Sequence, residues 1–486
     1  MYATIDTMCL LLHDELRNVI IVSMTSWLPS IEGRSGPKYL AIADSISEAI
    51  TSGTLDQGSK LPPQRNLAYD LGVTLGTVTR AYREVERRGL TGGEVGRGTF
   101  VLGPKDGRRD IFMAQQPLAP NIVEMIHAIP VIRLDDPVFA DTLRTIADEP
   151  EVNRLLGYQT GNQNEAHMRG AVTWLRRCGL DIDEHNVTIT TGGQQAILAA
   201  LMAVAEPGDT ILVEELTFPG MIHLARTLGY RLEPVAMDDM GLMPEALENH
   251  CKHSSAKVLY CMPTLHNPTL ATMPLERRKE IVALAEKYGL MIIEDDIWGM
   301  MAESGIPTIA SLLPSQTVYL ASLSKCLAGG LRTGFTAASP TITQKLRAAV
   351  KMICWMAPPL MVEIATRWIA DGTAEKLTEQ QKKLTATRVD LLRSHLKSFG
   401  LISHATAHHA WLPLPEPWRS EDFRLELERR GVHVLTESAF AAGRKSSTPA
   451  IRLTVGQPDN DAAIERAAEA FVDILSGRRQ RDEMFL

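Results

Sequence analysis

Cysteine is scarce in this chain and is never paired by spacing. Cys9, Cys178, Cys251, Cys261, Cys326 and Cys354 contain no Cys-x-x-Cys, so neither a zinc site nor a disulfide framework is indicated, and a reducing cytoplasm fits. Long apolar runs are missing too. Leu10-Leu11-Leu12 and Val19-Ile20-Ile21-Val22 are interrupted by His13-Asp14-Glu15-Leu16-Arg17, which excludes a signal peptide or a membrane span there. Nor is there an excess of positive charge. A net charge of −8 over 486 residues argues against a chain that grips nucleic acid along its whole length. The charge is uneven, however. Residues 36–103 hold 8 Lys and Arg against 7 Asp and Glu, a net +1, which leaves −9 on the remainder. Any nucleic-acid contact therefore belongs to that N-terminal part.

What is present is length enough for more than one domain, with 45% hydrophobic and 22% charged residues, the composition of a soluble globular protein. Residues 1–35 read as an N-terminal extension, with Met24 a more natural start than Met1. Residues 36–103 read as a first domain, 104–120 as a charged, proline-bearing linker, 121–476 as a second domain and 477–486 as a tail.

In the first domain Tyr39, Ile42, Ile46 and Ile50 recur at helical spacing, and Gly53 reads as the stop. Leu61-Pro62-Pro63-Gln64-Arg65 leads into a short helix and a turn at Gly72. Thr74 is placed to cap the next helix, whose buried stripe is Val78, Tyr82 and Val85. Gly92-Gly93-Glu94-Val95-Gly96-Arg97-Gly98-Thr99-Phe100-Val101 reads as a glycine-rich hairpin. Short helix, tight turn, second helix and hairpin make a winged helix-turn-helix, whose second helix enters the DNA major groove. The strings Leu61–Arg65, Thr77-Val78-Thr79-Arg80-Ala81-Tyr82 and Gly96–Val101 resemble the DNA-binding domain of the GntR family. That resemblance implies DNA contacts at Arg65, Thr74, Thr77, Arg80, Arg97 and Gly98. Leu75-Gly76 departs from the polar or basic start common in the family, and so reduces hydrogen-bonded base readout. The alternative is a helix-turn-helix used for protein contacts alone.

The second domain alternates short apolar strands with helical stretches, the pattern of an α/β sheet. Chemistry-bearing residues recur just after strand ends, where such sheets place ligands. Val187-Thr188-Ile189-Thr190 runs into Gly192-Gly193-Gln194-Gln195, a glycine turn at a helix start that offers N–H groups to an anion. Thr210-Ile211-Leu212-Val213 leads to Phe218. Lys257 to Met262 leads to His266-Asn267-Pro268-Thr269, and Met291-Ile292-Ile293-Glu294 to Asp295-Asp296-Ile297-Trp298. After Val318-Tyr319-Leu320-Ala321 comes Ser322-Leu323-Ser324-Lys325, with Arg332 shortly beyond. A lysine condenses with aldehydes, and hydroxyls with an arginine hold phosphate. An aldehyde and a phosphate on one small molecule describe pyridoxal phosphate.

These strings, in this order, resemble the aspartate-aminotransferase-like, fold type I enzymes over 121–476. Together with the GntR-like head the plan is similar to the MocR subfamily of regulators. The expected fold is a winged helix-turn-helix followed by an α/β transferase domain with a smaller C-terminal α+β subdomain. The resemblance implies that Lys325 forms the Schiff base, Asp295 pairs with the pyridine nitrogen, Asn267 donates to the ring's phenolic oxygen and Phe218 stacks on the ring. It assigns the phosphate to Gly193, Gln194, Ser322, Ser324 and Arg332, with Tyr158 reaching across a dimer. Arg452 takes a ligand's α-carboxylate. Trp298 stands where many relatives have a tyrosine, and an indole neither accepts a hydrogen bond nor ionises. Asp296 is the alternative to Asp295, Phe218 has a core reading, and a structural Asp or Glu is the other partner for Arg452. A metal at His404, His408 and His409 is disfavoured for want of a carboxylate or cysteine at ligand spacing. The function implied is a cytoplasmic, dimeric, pyridoxal-phosphate-dependent regulator that binds double-stranded DNA and senses the cofactor, an amino acid or an amine, with no metal and no membrane. A metabolic aminotransferase with an accessory head, or a cofactor sensor without catalysis, are the rival readings.

Overall fold

Val78, Tyr82 and Val85 lie on one side of a helix, and in the computed structural model all three are buried. The structure describes residues 27–30, 37–52, 54–55, 59–87, 90–94, 98–101, 122–131, 136–158, 165–302, 305–443 and 448–477. Arg97 and the linker 104–120 lie outside them. The chain divides into two units, Met1–Gln116 and Pro117–Leu486.

The first unit holds α1 (Lys38–Thr51), α2 (Gln64–Asp70), α3 (Leu75–Arg87), β1 (Thr91–Glu94) and β2 (Gly98–Val101). Ile42 and Ile46 of α1 pack on the α3 stripe, and Trp27 joins that core from the N-terminal side. The Tyr82 hydroxyl sits at the edge of this core and donates to Pro62 O at 2.7 Å, so its polar end is satisfied. Gly72, at φ 58°, makes the tight turn between α2 and α3. β1 and β2 pair antiparallel with Thr91 opposite Val101, which is the wing.

The second unit begins with β3 (Val123–Glu124). Its main sheet is built from β4 (Val187–Thr190), β5 (Thr210–Glu214), β6 (Arg231–Val235), β9 (Val258–Cys261), β10 (Met291–Asp295), β11 (Thr317–Ser322) and β12 (Gly334–Ala337), with a small hairpin of β7 (Met237–Asp238) and β8 (Gly241–Leu242) after β6. The order is β4-β12-β11-β10-β9-β5-β6. β12 is antiparallel to both neighbours, and the other pairs are parallel. β9 and β11 are buried at every position, as a sheet covered on both faces requires. Alternate residues feed different cores. Ile211, Val213 and Ile293 pack with the helices Gly193–Val204 and Pro340–Cys354, whereas Leu212 and Ile292 pack with the helix Leu275–Tyr288. Because the central strands are parallel, the loops after β5, β9, β10 and β11 leave from one edge of the sheet. Those loops carry Phe218, Asn267, Trp298 and Lys325.

The smaller subdomain comprises β13 (Ile402–Ser403), β14 (His409–Pro413), β15 (Val432–His433), β16 (Leu435–Thr436) and β17 (Ala450–Thr454). β13, β14, β17 and β16 form an antiparallel sheet in that order, while β15 pairs with β3. The helices Thr373–Leu396 and Asp461–Leu475 back it with an apolar core of its own. Among the described residues, no helix is long and apolar enough to cross a membrane.

Candidate ligand site and nucleic-acid interface

A carboxylate ends the central strand of the larger unit. Asp295 is 4% exposed and accepts from the Tyr260 hydroxyl at 2.5 Å and from Ile297 N–H at 3.3 Å. It makes no ion pair among the described residues. Burial pushes its carboxyl up to about 6, against the pull of those two donors. Asp296 turns to other neighbours, accepting from the Tyr319 hydroxyl at 2.6 Å. Tyr260 was not singled out from sequence. A tyrosine inside a wholly apolar strand is a readable signal all the same, because its hydroxyl needs a buried partner.

Two cations stand near this acid. Lys325 follows β11, is half-buried, and places its Nζ 5.3 Å from the centre of the Trp298 ring. Burial lowers its ammonium to about 8; Arg452 pushes the same way and Asp295 opposes. Arg452 on β17 is 4% exposed, and burial lowers it to about 9. Its Nη1 donates to Asn267 Oδ1 at 3.3 Å, its guanidinium lies 5.1 Å from the Phe440 ring, and its Nε has no partner. No Asp or Glu pairs with it among the described residues, so the structural-acid alternative has no support. Both cations also donate to backbone carbonyls, Lys325 to Ala128 and Arg452 to Ile126. Sequence reasoning missed these two acceptors, since a main-chain oxygen has no residue signature.

A cradle of backbone lies beside the lysine. Gly192 has φ 87° and precedes the helix that starts at Gly193. A Cβ at Gly192 would lie 2.9 Å from Arg332 Nη2, and one at Gly193 would lie 2.4 Å from Ile297 Cδ1. Only glycine lets Arg332 and Ile297 approach the helix start this closely, and the open N–H groups there suit an anion. Arg332 is exposed and donates to Thr191 O at 2.9 Å. Ser322 Oγ donates to Ser324 Oγ at 3.0 Å and accepts from Ser324 N–H at 3.2 Å. Phe218 is half-buried, its ring pressed over Gly220 with the Gln194 side-chain oxygen alongside.

Trp298 is packed by two imidazoles, His408 with ring centres 5.3 Å apart and His409 at 5.2 Å. Both rings are fully buried. Burial, aided by Lys325, lowers His408 to about 3; burial and then Arg452 hold His409 well below the usual histidine range. Both are neutral packing partners of the indole at ordinary pH. No group of three His, Cys, Asp or Glu side chains is placed to hold a metal among the described residues. Tyr158 is 66% exposed, its ring 5.4 Å from that of Trp355, itself half exposed. Among the described residues it makes no bond to the site residues of its own chain. Arg278, also missed, is fully buried. It donates to Met273 O, Pro307 O, Pro263 O and Thr264 Oγ1, fixing the loop that leads to Asn267. On a charged helix such an arginine reads as solvent-facing.

In the first unit Arg65 is exposed on α2. The Thr74 and Thr77 hydroxyls bond one another at 2.9 Å, and Thr77 N–H donates to Thr74 Oγ1 at 3.3 Å, capping α3. Leu75 is 44% exposed at the helix start. Arg80 is exposed and stacks its guanidinium 4.2 Å above the Tyr39 ring of α1. Gly98 opens β2 opposite Glu94.

A winged helix-turn-helix ahead of a seven-stranded α/β sheet, with a lysine and an acid at adjacent strand ends, defines a DNA-binding head joined to an aminotransferase-fold body. The comparisons with known proteins agree. Residues 38–101 match the family "Bacterial regulatory proteins, gntR family", and residues 137–471 match "Aminotransferase class I and II". The uncharacterized HTH-type transcriptional regulator YdeF of Bacillus subtilis (strain 168) is 30% identical over 91% of this chain and 95% of its own. The vitamin B6 salvage pathway transcriptional repressor PtsJ of Salmonella typhimurium (strain LT2) is 27% identical over 88% and 96%. Among solved structures, an archaeal alanine:glyoxylate aminotransferase superposes with a TM-score of 0.67 at 24% identity, covering 73% of this chain and 91% of its own. A Pyrococcus horikoshii kynurenine aminotransferase gives 0.66 at 25%, covering 75% and 93%. The chain belongs to the aminotransferase class I and II family and carries a gntR-type head, the plan of the MocR-type transcriptional regulators.

Asp295→Asn should make the ligand-free protein more stable at pH 8 by about 1–3 kcal/mol. The sign follows from the raised folded-state carboxyl. As pH rises from about 4 to about 6, the unfolded chain loses its proton first, so wild-type stability falls across that window. Urea unfolding of both proteins at pH 4 and pH 8 should show the gain at pH 8 alone. A loss of stability at pH 8 would mean that Asp295 is a structural anchor.

Proposed function

We propose that the chain is a pyridoxal-phosphate-dependent transcriptional regulator, in which the larger unit binds the cofactor and an amino acid or amine, and the head binds double-stranded DNA. The observation that carries the reading is a buried Asp295 and a half-buried Lys325 at adjacent strand ends, neither in an ion pair among the described residues. The residues present fit the cofactor. An acid without a counter-ion suits a protonated ring nitrogen, an amine lowered to about 8 suits an aldehyde, and the glycine cradle below Arg332 suits a phosphate. When bound, the cofactor supplies the aldehyde and an electron-withdrawing ring.

The chain's own residues do the rest. Asp295 would hold the proton on the ring nitrogen. Asn267, whose oxygen is taken by Arg452, has its NH2 left for the phenolic oxygen. Phe218 would flank the ring. Gly193 and Gln194 N–H groups, Ser322, Ser324 and Arg332 would hold the phosphate. Arg452, with no acid partner, would take a ligand carboxylate in a bidentate fork. The exposure of Tyr158 supports a homodimer in which it serves the partner's phosphate. Arg65, Thr74, Thr77, Arg97 and Gly98 would face DNA, and so would Arg80 from its seat on Tyr39. A relative named for vitamin B6 salvage supports a link to the cofactor. Against a metabolic aminotransferase stands Trp298. Its indole N–H donates but cannot accept or ionise, and the neutral imidazoles around it offer no charge in place of a tyrosine hydroxyl.

Borohydride should fix pyridoxal phosphate on Lys325, read by peptide mass, and Lys325→Ala should carry no fixed adduct. Because the unprotonated amine attacks, the uptake rate should rise about tenfold per pH unit and level off above about 8. Fixation elsewhere, or a rise that continues to about pH 10, the ordinary lysine range, contradicts the reading.

Arg65→Ala should weaken DNA binding at all sequences and reduce the salt slope by about 1, as expected for one lost phosphate contact. Titration of the full chain on operator and random duplexes at several salt concentrations measures both. An unchanged slope removes Arg65 from the interface.

A further inference from the structure

Residues 122–131 form a strap whose carbonyls cap the two cations of the ligand site. Ile126 O accepts from Arg452 Nη2, and Ala128 O accepts from Lys325 Nζ. The strap is tied down independently of that site. β3 pairs with β15, and the amides of Val123 and Met125 donate to Gly431 O at 2.7 Å and His433 O at 2.9 Å. The His433 Nδ1 donates to Glu124 Oε1 at 2.5 Å. Gln457 Oε1 accepts from both Ile126 N–H, at 2.9 Å, and His127 N–H, at 2.6 Å. At the far end the Gln381 amide accepts from Val131 N–H at 3.1 Å and donates to Val131 O at 2.6 Å. A Cβ at Gly456 would lie 1.7 Å from Ile129 O, so only glycine lets the strap lie this close. The amides are thus held by the smaller subdomain and the helix Thr373–Leu396, and the carbonyls of Ile126 and Ala128 are turned to the cations.

Those cations are the groups that the proposed function assigns to the cofactor and to a ligand carboxylate. Condensation with the aldehyde joins the Lys325 nitrogen to the aldehyde carbon and expels the oxygen as water with both amine protons. Lys325 then no longer offers Ala128 its ammonium donors. A carboxylate taken in a bidentate fork engages the guanidinium edge that now reaches Ile126. We infer that the strap reports occupancy of the site: it is seated by Lys325 and Arg452 when the site is empty, and loosened between its anchors when those cations are engaged. The inference rests on the reading of Lys325 as the cofactor's lysine. Residues 102–121 connect the strap to Val101 at the end of the wing, so it is the first described part of the body along the chain from the head. By reciprocity, a strap that is easier to unseat makes cofactor binding tighter.

Hydrogen exchange of the full chain, empty and saturated with pyridoxal phosphate, tests this at the amides of residues 125–129. Exchange there should quicken tenfold or more on loading, and the empty Lys325→Ala protein should show the same loosening. Gln457→Leu, which removes a strap anchor outside the ligand site, should bind pyridoxal phosphate about tenfold more tightly. That gain is one a merely damaged fold would not give. Fixation on Lys325 with unchanged or slower exchange at the strap, or weaker cofactor binding by Gln457→Leu, overturns the inference and leaves the function standing. Failure of borohydride to fix the cofactor on Lys325 overturns both.

Discussion

Charges buried without counter-ions are the constraint on which this structure turns. Asp295 and Arg452 are buried and Lys325 is half-buried beside them, yet among the described residues none forms an ion pair. Each such group carries a desolvation cost of several kcal/mol that pairing or hydrogen bonding must offset. Here the offset is partial: a tyrosine hydroxyl for the acid, and two main-chain carbonyls and an asparagine for the cations. Burial disfavours the charged form of all three, holding the acid's proton on to higher pH and releasing the cations' protons at lower pH. A protein organised for stability alone would have paired them or replaced them with apolar side chains. An arrangement that leaves all three open suits a ring nitrogen, an aldehyde and a carboxylate.

The same logic separates the neighbouring acids that do not serve the site. Glu294 is fully buried too, but it accepts from the amides of Ile309 and Ala310, and Glu214 accepts from Met262 N–H. Each also faces a buried base, Glu294 facing Arg278 at 3.9 Å and Glu214 facing His266 at 3.4 Å. Arg278, though buried, is saturated with carbonyl acceptors and holds a loop in place. Polar satisfaction therefore divides scaffold from site where residue type does not.

Much of this was legible in the sequence, for identifiable reasons. Strands buried on both faces write themselves as continuous apolar runs, so the segments ending near Asp295 and Ser322 were readable, and ligand groups after strand ends follow from parallel topology. The helical stripe of Val78, Tyr82 and Val85 was equally plain. The strap was not, because it has no periodicity and acts through main-chain oxygens. The packing of the imidazoles on Trp298 was not legible, since stacking depends on a fold-level meeting of β14 with the loop after β10. The stacking of Arg80 on Tyr39 was not legible either, because it depends on how α3 meets α1. Leu75-Gly76, where a helix-turn-helix reads bases, supplies few hydrogen bonds, which is why no operator can be deduced from the residues.

The head and body matter to one another only if the state of the ligand site changes how the head holds DNA. Sequencing and quantifying the DNA retained by the full chain from a random pool, with and without pyridoxal phosphate and in parallel with Lys325→Ala, tests this most directly. The account predicts one enriched sequence whose retention changes on loading wild type and does not respond to the cofactor in Lys325→Ala. Equal retention by empty, loaded and Lys325→Ala protein would contradict it.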